Sequence, residues 1–145
     1  MSGTWTDSAL ARMRSESGRS GGARRAVVEY LGHQDCCLSA QEIHDGVRAS
    51  GLRLGIASVY RALDGLDELG LVQRVDLGDG VSRYERADPR GDHHHHLVCG
   101  DCGKVEPFED PALEAAIVSV AGGRGYEVAA HDVVLRGACG DCRVA

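Results

Sequence analysis

Six cysteines and seven histidines could carry chemistry in this chain. Four cysteines fall into two C-x-x-C pairs, Cys99/Cys102 and Cys139/Cys142, while Cys36 and Cys37 are adjacent. Each C-x-x-C turns two sulfurs toward one point, and two such turns complete the tetrahedral thiolate shell that holds Zn²⁺. The 36 residues between the pairs would let one metal staple a domain's first strand to its end. Four thiolates leave no open position, so this zinc is expected to be structural rather than catalytic. The alternatives are a redox C-x-x-C or four unrelated thiols.

His93, His94, His95 and His96 follow one another, and the run lies inside the chain rather than at a terminus where a tag would sit. If the run enters a strand through Leu97, Val98 and Cys99, alternate side chains face opposite ways. His93 and His95 then serve one site and His94 and His96 another. Imidazole suits Zn²⁺, Fe²⁺, Ni²⁺ and Cu²⁺ alike, so the run does not name its metal. The alternative is a solvated polar strand.

The elements that must position these groups are legible in outline. Residues 1–22 are rich in Ser, Gly and Arg and read as a flexible arm, with a turn or more of helix over 5–14. From Ala23, Val27, Tyr30 and Leu31 keep helical spacing. Ser39 caps a second helix with Glu42 as its capping-box partner, and Gly51 stops it. A third helix carries Val59, Leu63 and Leu66 on one side and closes at Gly70. The segments LVQRV and VSRYER form a hairpin. Three helices and a hairpin describe a winged helix-turn-helix over residues 23–86, its third helix in the major groove. Residues 87–92 form a hinge, and residues 93–145 a second domain. That domain is expected to hold two strands around the C-G-D-C-G knuckle, a helix from Asp110 with Pro111 at its first position, and a strand over 126–136. The fold class is α+β.

Composition excludes several classes. No apolar run approaches the ~20 residues of a membrane helix, and no charged-then-apolar leader opens the chain, which reads as cytoplasmic. Without a secretory signal, paired cysteines read as metal ligands rather than disulfides. A net charge of −6 argues against a generally basic nucleic-acid coat. Residues 1–86, however, carry 11 Lys and Arg against 12 Asp and Glu, while residues 87–145 carry 5 against 10. The near-neutral first part can still present a local basic face.

The segments GIASVYRALDGLDELGLV, HHHHLVCGDCGKV and the final CGDC, in this order and spacing, resemble the ferric uptake regulator (Fur) family of metal-dependent repressors, and within it the zinc-uptake-regulator branch. The resemblance spans roughly residues 23–143. It implies a winged helix hinged to an α/β dimerisation domain, working as a homodimer on palindromic double-stranded DNA operators. It also implies two further metal sites. One, inside the dimerisation domain, takes His93, His95, Glu114 and His131, with His131 on the last strand. The other, the sensing site at the hinge, takes His94, His96, Glu85 and a ligand from the loop before the second helix, where Cys37 stands. For DNA, the matching residues are Ser58, Tyr60 and Arg61 at the start of the third helix, with Arg24 and Arg25 as phosphate clamps.

The hinge set departs from the zinc-sensing actinobacterial pattern, in which Asp follows the third helix and Cys lies at the wing-to-hinge segment. Those positions hold Gln73 and Ala87 here. Cys37 and Glu85 would have to substitute, and a thiolate favours Zn²⁺ over Fe²⁺. The alternative is that Cys37 packs in a core. Cys36 reads as a neighbour without a role.

The expected function is a zinc-responsive transcriptional repressor of metal-homeostasis genes, with iron or nickel as the alternative signal. No small-molecule substrate beyond metal ions is expected. A zinc hydrolase or deaminase needs H-E-x-x-H, or H-x-E with P-C-x-x-C, and neither is present. A metal store would use the His run but leave the winged helix idle.

Overall fold

A computed structural model describes residues 4–17, 21–87 and 94–143. The hinge residues 88–92 and His93 lie outside the described residues. The chain divides into two compact units, Met1–Gly91 and Asp92–Ala145.

The first unit holds α1 (Trp5–Ser17), α2 (Gly22–Leu31), β1 (Leu38–Ser39), α3 (Ala40–Ala49), α4 (Ile56–Glu68), β2 (Val72–Asp76) and β3 (Ser82–Arg86). Ser39 caps α3 by accepting from the Glu42 N–H, and Glu42 returns the bond to the Ser39 N–H. Such a cap contributes about 1 kcal/mol. Val59, Ala62, Leu63 and Leu66 line the buried stripe of α4. They pack with Val27, Val28 and Leu31 of α2 and Ile43 and Val47 of α3. Gly51 and Gly70, at φ 94° and 66°, turn the chain out of α3 and α4 in the left-handed region that favours glycine. The sheet order is β1-β3-β2, antiparallel throughout. Helices α2 to α4 with this sheet form the winged helix.

The flexible arm expected over residues 1–22 requires correction. Within it, α1 buries Ala9, Leu10 and Met13 in the common core. Trp5 donates from its indole N–H to the Leu71 carbonyl at 3.0 Å. The strand β1 has no signal of its own, since two residues acquire strand geometry only by pairing Leu38 with Tyr84 and Ser39 with Arg83.

The second unit holds β4 (His95–Cys99), β5 (Val105–Phe108), α5 (Pro111–Gly122) and β6 (Val134–Gly137), with sheet order β5-β4-β6. Asp110 caps α5 by accepting from the Ala112 and Leu113 N–H groups. The strand expected over 126–136 is confined to β6, so His131 stands in the irregular approach to β6 rather than on a strand. Among the described residues of this unit, Cys99 is the one apolar core residue, and His95 and His96 are buried as well. No helix is long and apolar enough to cross a membrane among the described residues.

Candidate metal centres

Cys99 ends β4, Cys102 follows in the knuckle, and Cys139 and Cys142 lie in the turn after β6. The parallel pairing of β4 with β6, which sets Cys99 beside Gly137, brings both knuckles to one end of the sheet. All four sulfurs lie within 4.8 Å of one another, and Cys102 and Cys139 Sγ are 3.7 Å apart. A zinc tetrahedron with bonds of about 2.3 Å has sulfur–sulfur edges of about 3.8 Å. The donor set fits that ion.

The thiols divide their protons unevenly. Backbone N–H groups of Cys102 and Cys139 lower Cys99 to about 6, and the Cys139 N–H reaches its sulfur at 3.3 Å. Hydrogen bonds to the other three sulfurs, Cys139 foremost, raise Cys142 to about 12. A divalent ion would replace the shared protons.

The second group gathers His95, Glu114 and His131, whose ligand atoms also lie within 4.8 Å of one another. His95, 1% exposed, points from β4 toward α5. Its Nε2 meets Glu114 Oε1 at 2.5 Å, and His131 Nε2 meets Glu114 Oε2 at 2.6 Å. Burial pushes the Glu114 carboxyl up, but the bonds to His95 and His131 outweigh it, so its pKa is lowered. Two imidazoles and a carboxylate suit Zn²⁺ or Fe²⁺.

The residues expected at the hinge belong to both units, Cys37 and Glu85 to the first and His94 and His96 to the second. In the first, Cys37 stands just before β1, whose Leu38 pairs with Tyr84, and β2–β3 pairing sets Gln73 opposite Glu85. Gln73 Nε2 donates to Glu85 Oε1. Cys37 and Glu85 are buried. A hydrogen bond to Cys36, then burial, then the Glu85 charge push the Cys37 thiol up. In the second unit, the His94 and His96 rings stand edge to face, with centroids 4.9 Å apart.

For DNA, α4 presents Tyr60 at 49% exposure, and exposed Arg61 donates to the Ser58 hydroxyl at 3.1 Å. Arg24 lies beside Gly65, two turns farther along α4 than Ser58, and Arg25 is paired with Glu29 at 2.8 Å. The two arginines therefore do not join the Ser58 cluster. Sequence reasoning missed Gln73 as the partner of Glu85, and Arg86, which donates to the Gly32 and Gln34 carbonyls and holds the loop before Cys36. Neither has a motif. Their partners become visible only through strand pairing and the return of the chain.

A winged helix followed by a small α+β unit with two clusters of metal-ligand residues defines a metal-responsive transcription regulator. The chain matches the model of the ferric uptake regulator family over residues 16–136 and belongs to that family. It is 30% identical over 135 residues to the ferric uptake regulation protein of Neisseria meningitidis, covering 92% of each chain. The fold is similar to that of the Helicobacter pylori ferric uptake regulator, which has three functional metal binding sites, at a TM-score of 0.83 and 28% identity over 97% of this chain and 95% of that one. The Vibrio cholerae ferric uptake regulator matches at a TM-score of 0.77 and 30% identity, over 90% of this chain and 99% of that one.

Proposed function

We propose that the protein is a zinc-responsive repressor of metal-homeostasis genes that binds a palindromic operator in the cytoplasm as a metal-loaded homodimer. The observation that carries the choice of metal is Cys37, a buried thiol near enough to Glu85 to feel its charge. With His94 and His96 the pair would supply one sulfur, one carboxylate and two imidazoles. A thiolate in such a set favours Zn²⁺ over Fe²⁺. Metal would hold the two winged helices of a dimer at operator spacing, and without it the apparent DNA affinity falls with the competent fraction.

The four cysteines would hold a structural zinc, and His95, Glu114 and His131, joined by His93, a second regulatory or structural ion. Three metal sites in the Helicobacter pylori relative support this arrangement. A partner copy is supported by α5, which is largely apolar yet buries no residue within one chain. Its Val118 and Val120 are 61% and 57% exposed. A unit with so little core of its own gains stability from metal and from association. Ser58, Tyr60 and Arg61 would read the major groove, with Arg24 and Arg25 on phosphate.

Glu85 and the naming of relatives as ferric uptake regulation proteins favour iron as the second reading. The experiment is binding of the metal-stripped regulatory sites to operator DNA, titrated with Zn²⁺, Fe²⁺, Ni²⁺ and Mn²⁺ at buffered free concentrations. Zinc should restore binding at the lowest free concentration relative to its cellular buffer, and Cys37→Ser should abolish that response. A Cys37→Ser protein that binds at the same free zinc would transfer the sensing role to Glu85 and the histidines, and the signal to iron.

A further inference from the structure

Cys36 and Cys37 are adjacent, yet their sulfurs lie 3.9 Å apart. In a regular strand, neighbouring side chains point to opposite faces. Here the backbone bends at Asp35 and Cys36, and strand geometry begins only at Leu38. The bend turns both sulfurs to the same side. It is held from β3, where Arg86 donates to the Gln34 carbonyl at 2.9 Å and to the Gly32 carbonyl at 3.4 Å. Cys37 is buried and Cys36 half-buried.

Two thiols in this relation can close a disulfide or share an ion. Adjacent Cα atoms are about 3.8 Å apart across a trans peptide, below the about 4.4 Å at which disulfide spans begin. Direct oxidation would therefore strain the bend. A single atom bonded to both sulfurs at about 2.3 Å meets no such conflict. The 3.9 Å between the sulfurs need close only slightly, which the half-buried Cys36 permits, to reach the narrower angle that pyramidal trivalent arsenic takes between two sulfurs.

We propose that Cys36 and Cys37 act together as a bidentate dithiol site for thiophilic ions, with trivalent arsenic as the defining case. Cys36 is then a ligand in its own right, contrary to its reading as a bystander. The site rests on the geometry of the first unit and stands whether or not Cys37 also serves the sensing set. With an arsenoxide, two S–H bonds break and two As–S bonds form. Both protons leave with the arsenoxide oxygen as water, and arsenic remains trivalent throughout.

The test uses the full chain with its four-cysteine site loaded with zinc, treated with one equivalent of phenylarsine oxide. Thiols are counted with a chromogenic disulfide and released zinc with a metallochromic dye. Two titratable thiols should disappear per arsenic with no zinc released. A small dithiol should reverse the capture where a monothiol does not. Loss of the chelate in Cys36→Ser, and separately in Cys37→Ser, should weaken capture at least about 100-fold. Cys36 is half-buried, so its serine variant keeps the test open if Cys37→Ser misfolds. Parent-like affinity in Cys36→Ser, or zinc release in step with arsenic capture, would overturn the assignment.

Discussion

Val133 donates its backbone N–H to Nδ1 of His95 across 3.2 Å. A ring nitrogen that accepts carries no proton, so in this state Nε2 holds it and directs it at Glu114, 2.5 Å away. A metal at Nε2 would send that proton to Nδ1, the usual arrangement of a ligating imidazole. Nδ1 could then no longer accept from Val133.

Loading this site should therefore switch His95 from the Nε2–H to the Nδ1–H tautomer and speed hydrogen exchange at the Val133 amide. Nitrogen-15 spectra of the imidazole report the first change and amide exchange the second. Glu114→Ala removes a ligand and not an outer support, so it should lower affinity at this site by at least the about 10–100-fold that loss of an outer partner costs. An unchanged Val133 amide on loading would place the metal elsewhere.

The four-cysteine site gives a prediction with a sign in pH. Zinc requires thiolates, so protons compete with it and affinity falls as pH drops. Cys99, held near 6 by backbone N–H groups, is the first thiol to ionise, whereas Cys142 near 12 ionises only as metal replaces its shared protons. Zinc release to a chromophoric chelator should rise as pH falls and steepen below about 6, where Cys99 also reprotonates. Cys102→Ser should remove about one zinc per chain and unfold the second unit, because metal binding there is coupled to folding. Circular dichroism and metal analysis on the same sample check both.

What could be read beforehand was local. Ser39 and Glu42 announce their capping box three residues apart, and alternation along the His run separates His95 from His94 and His96. Pairings across the chain were hidden. Nothing around Leu38 marks a strand until Tyr84 arrives beside it. Glu114 and His131 meet through the helix α5 and the loop after it, and only a family resemblance placed them together. In α1 the fault was one of weighting. Trp5, Ala9, Leu10 and Met13 keep helical spacing, but the Ser, Gly and Arg around them suggested a loose arm. Burial of Ala9 and Met13 at 0% and 2% exposure decides otherwise.

That burial is open to direct measurement. Met13→Ala should destabilise the first unit by about 2–5 kcal/mol, the range for a buried Met cut back to Ala in a core that cannot fully collapse. Denaturant unfolding with an unchanged m-value is the appropriate readout. A loss below about 0.5 kcal/mol, typical of a surface position, would return α1 to the status of an appendage.

In the wing, Arg83 donates to Asp79 at 3.0 Å and lowers its carboxyl from 3.8 to about 2, helped by the Val81 N–H. A folded-state pKa below the unfolded value means the pair's contribution is present in full above about pH 4. It fades as pH falls toward 2. Carbon-13 titration of the Asp79 carboxyl should show the low midpoint, and Arg83→Ala should move it up toward 3.8. A midpoint that stays near 2 in Arg83→Ala would assign the shift to the turn backbone instead.

Arg61 offers the most direct test of the DNA-reading surface. It follows exposed Tyr60 on α4, while Val59, Ala62, Leu63 and Leu66 of the same helix are fixed in the core. The helix is thus anchored on one side and free to enter a groove on the other. Ser58 accepts from the Arg61 guanidinium and limits its wandering, which lowers the entropy lost when the arginine meets a base or phosphate. Arg61→Ala should weaken operator binding by about 1–3 kcal/mol, roughly 5- to 150-fold, if it reads a base edge. The loss should be largest on the parent operator and shrink when the contacted base pair is changed. If Arg61 touches phosphate, weakening should be uniform across sequences and the salt slope should fall by about one. Zinc content and dimerisation should stay at parent values, since Arg61 is remote in sequence from every metal-ligand candidate and lies outside the core. Unchanged affinity for every duplex at physiological salt would remove the start of α4 from the reading surface.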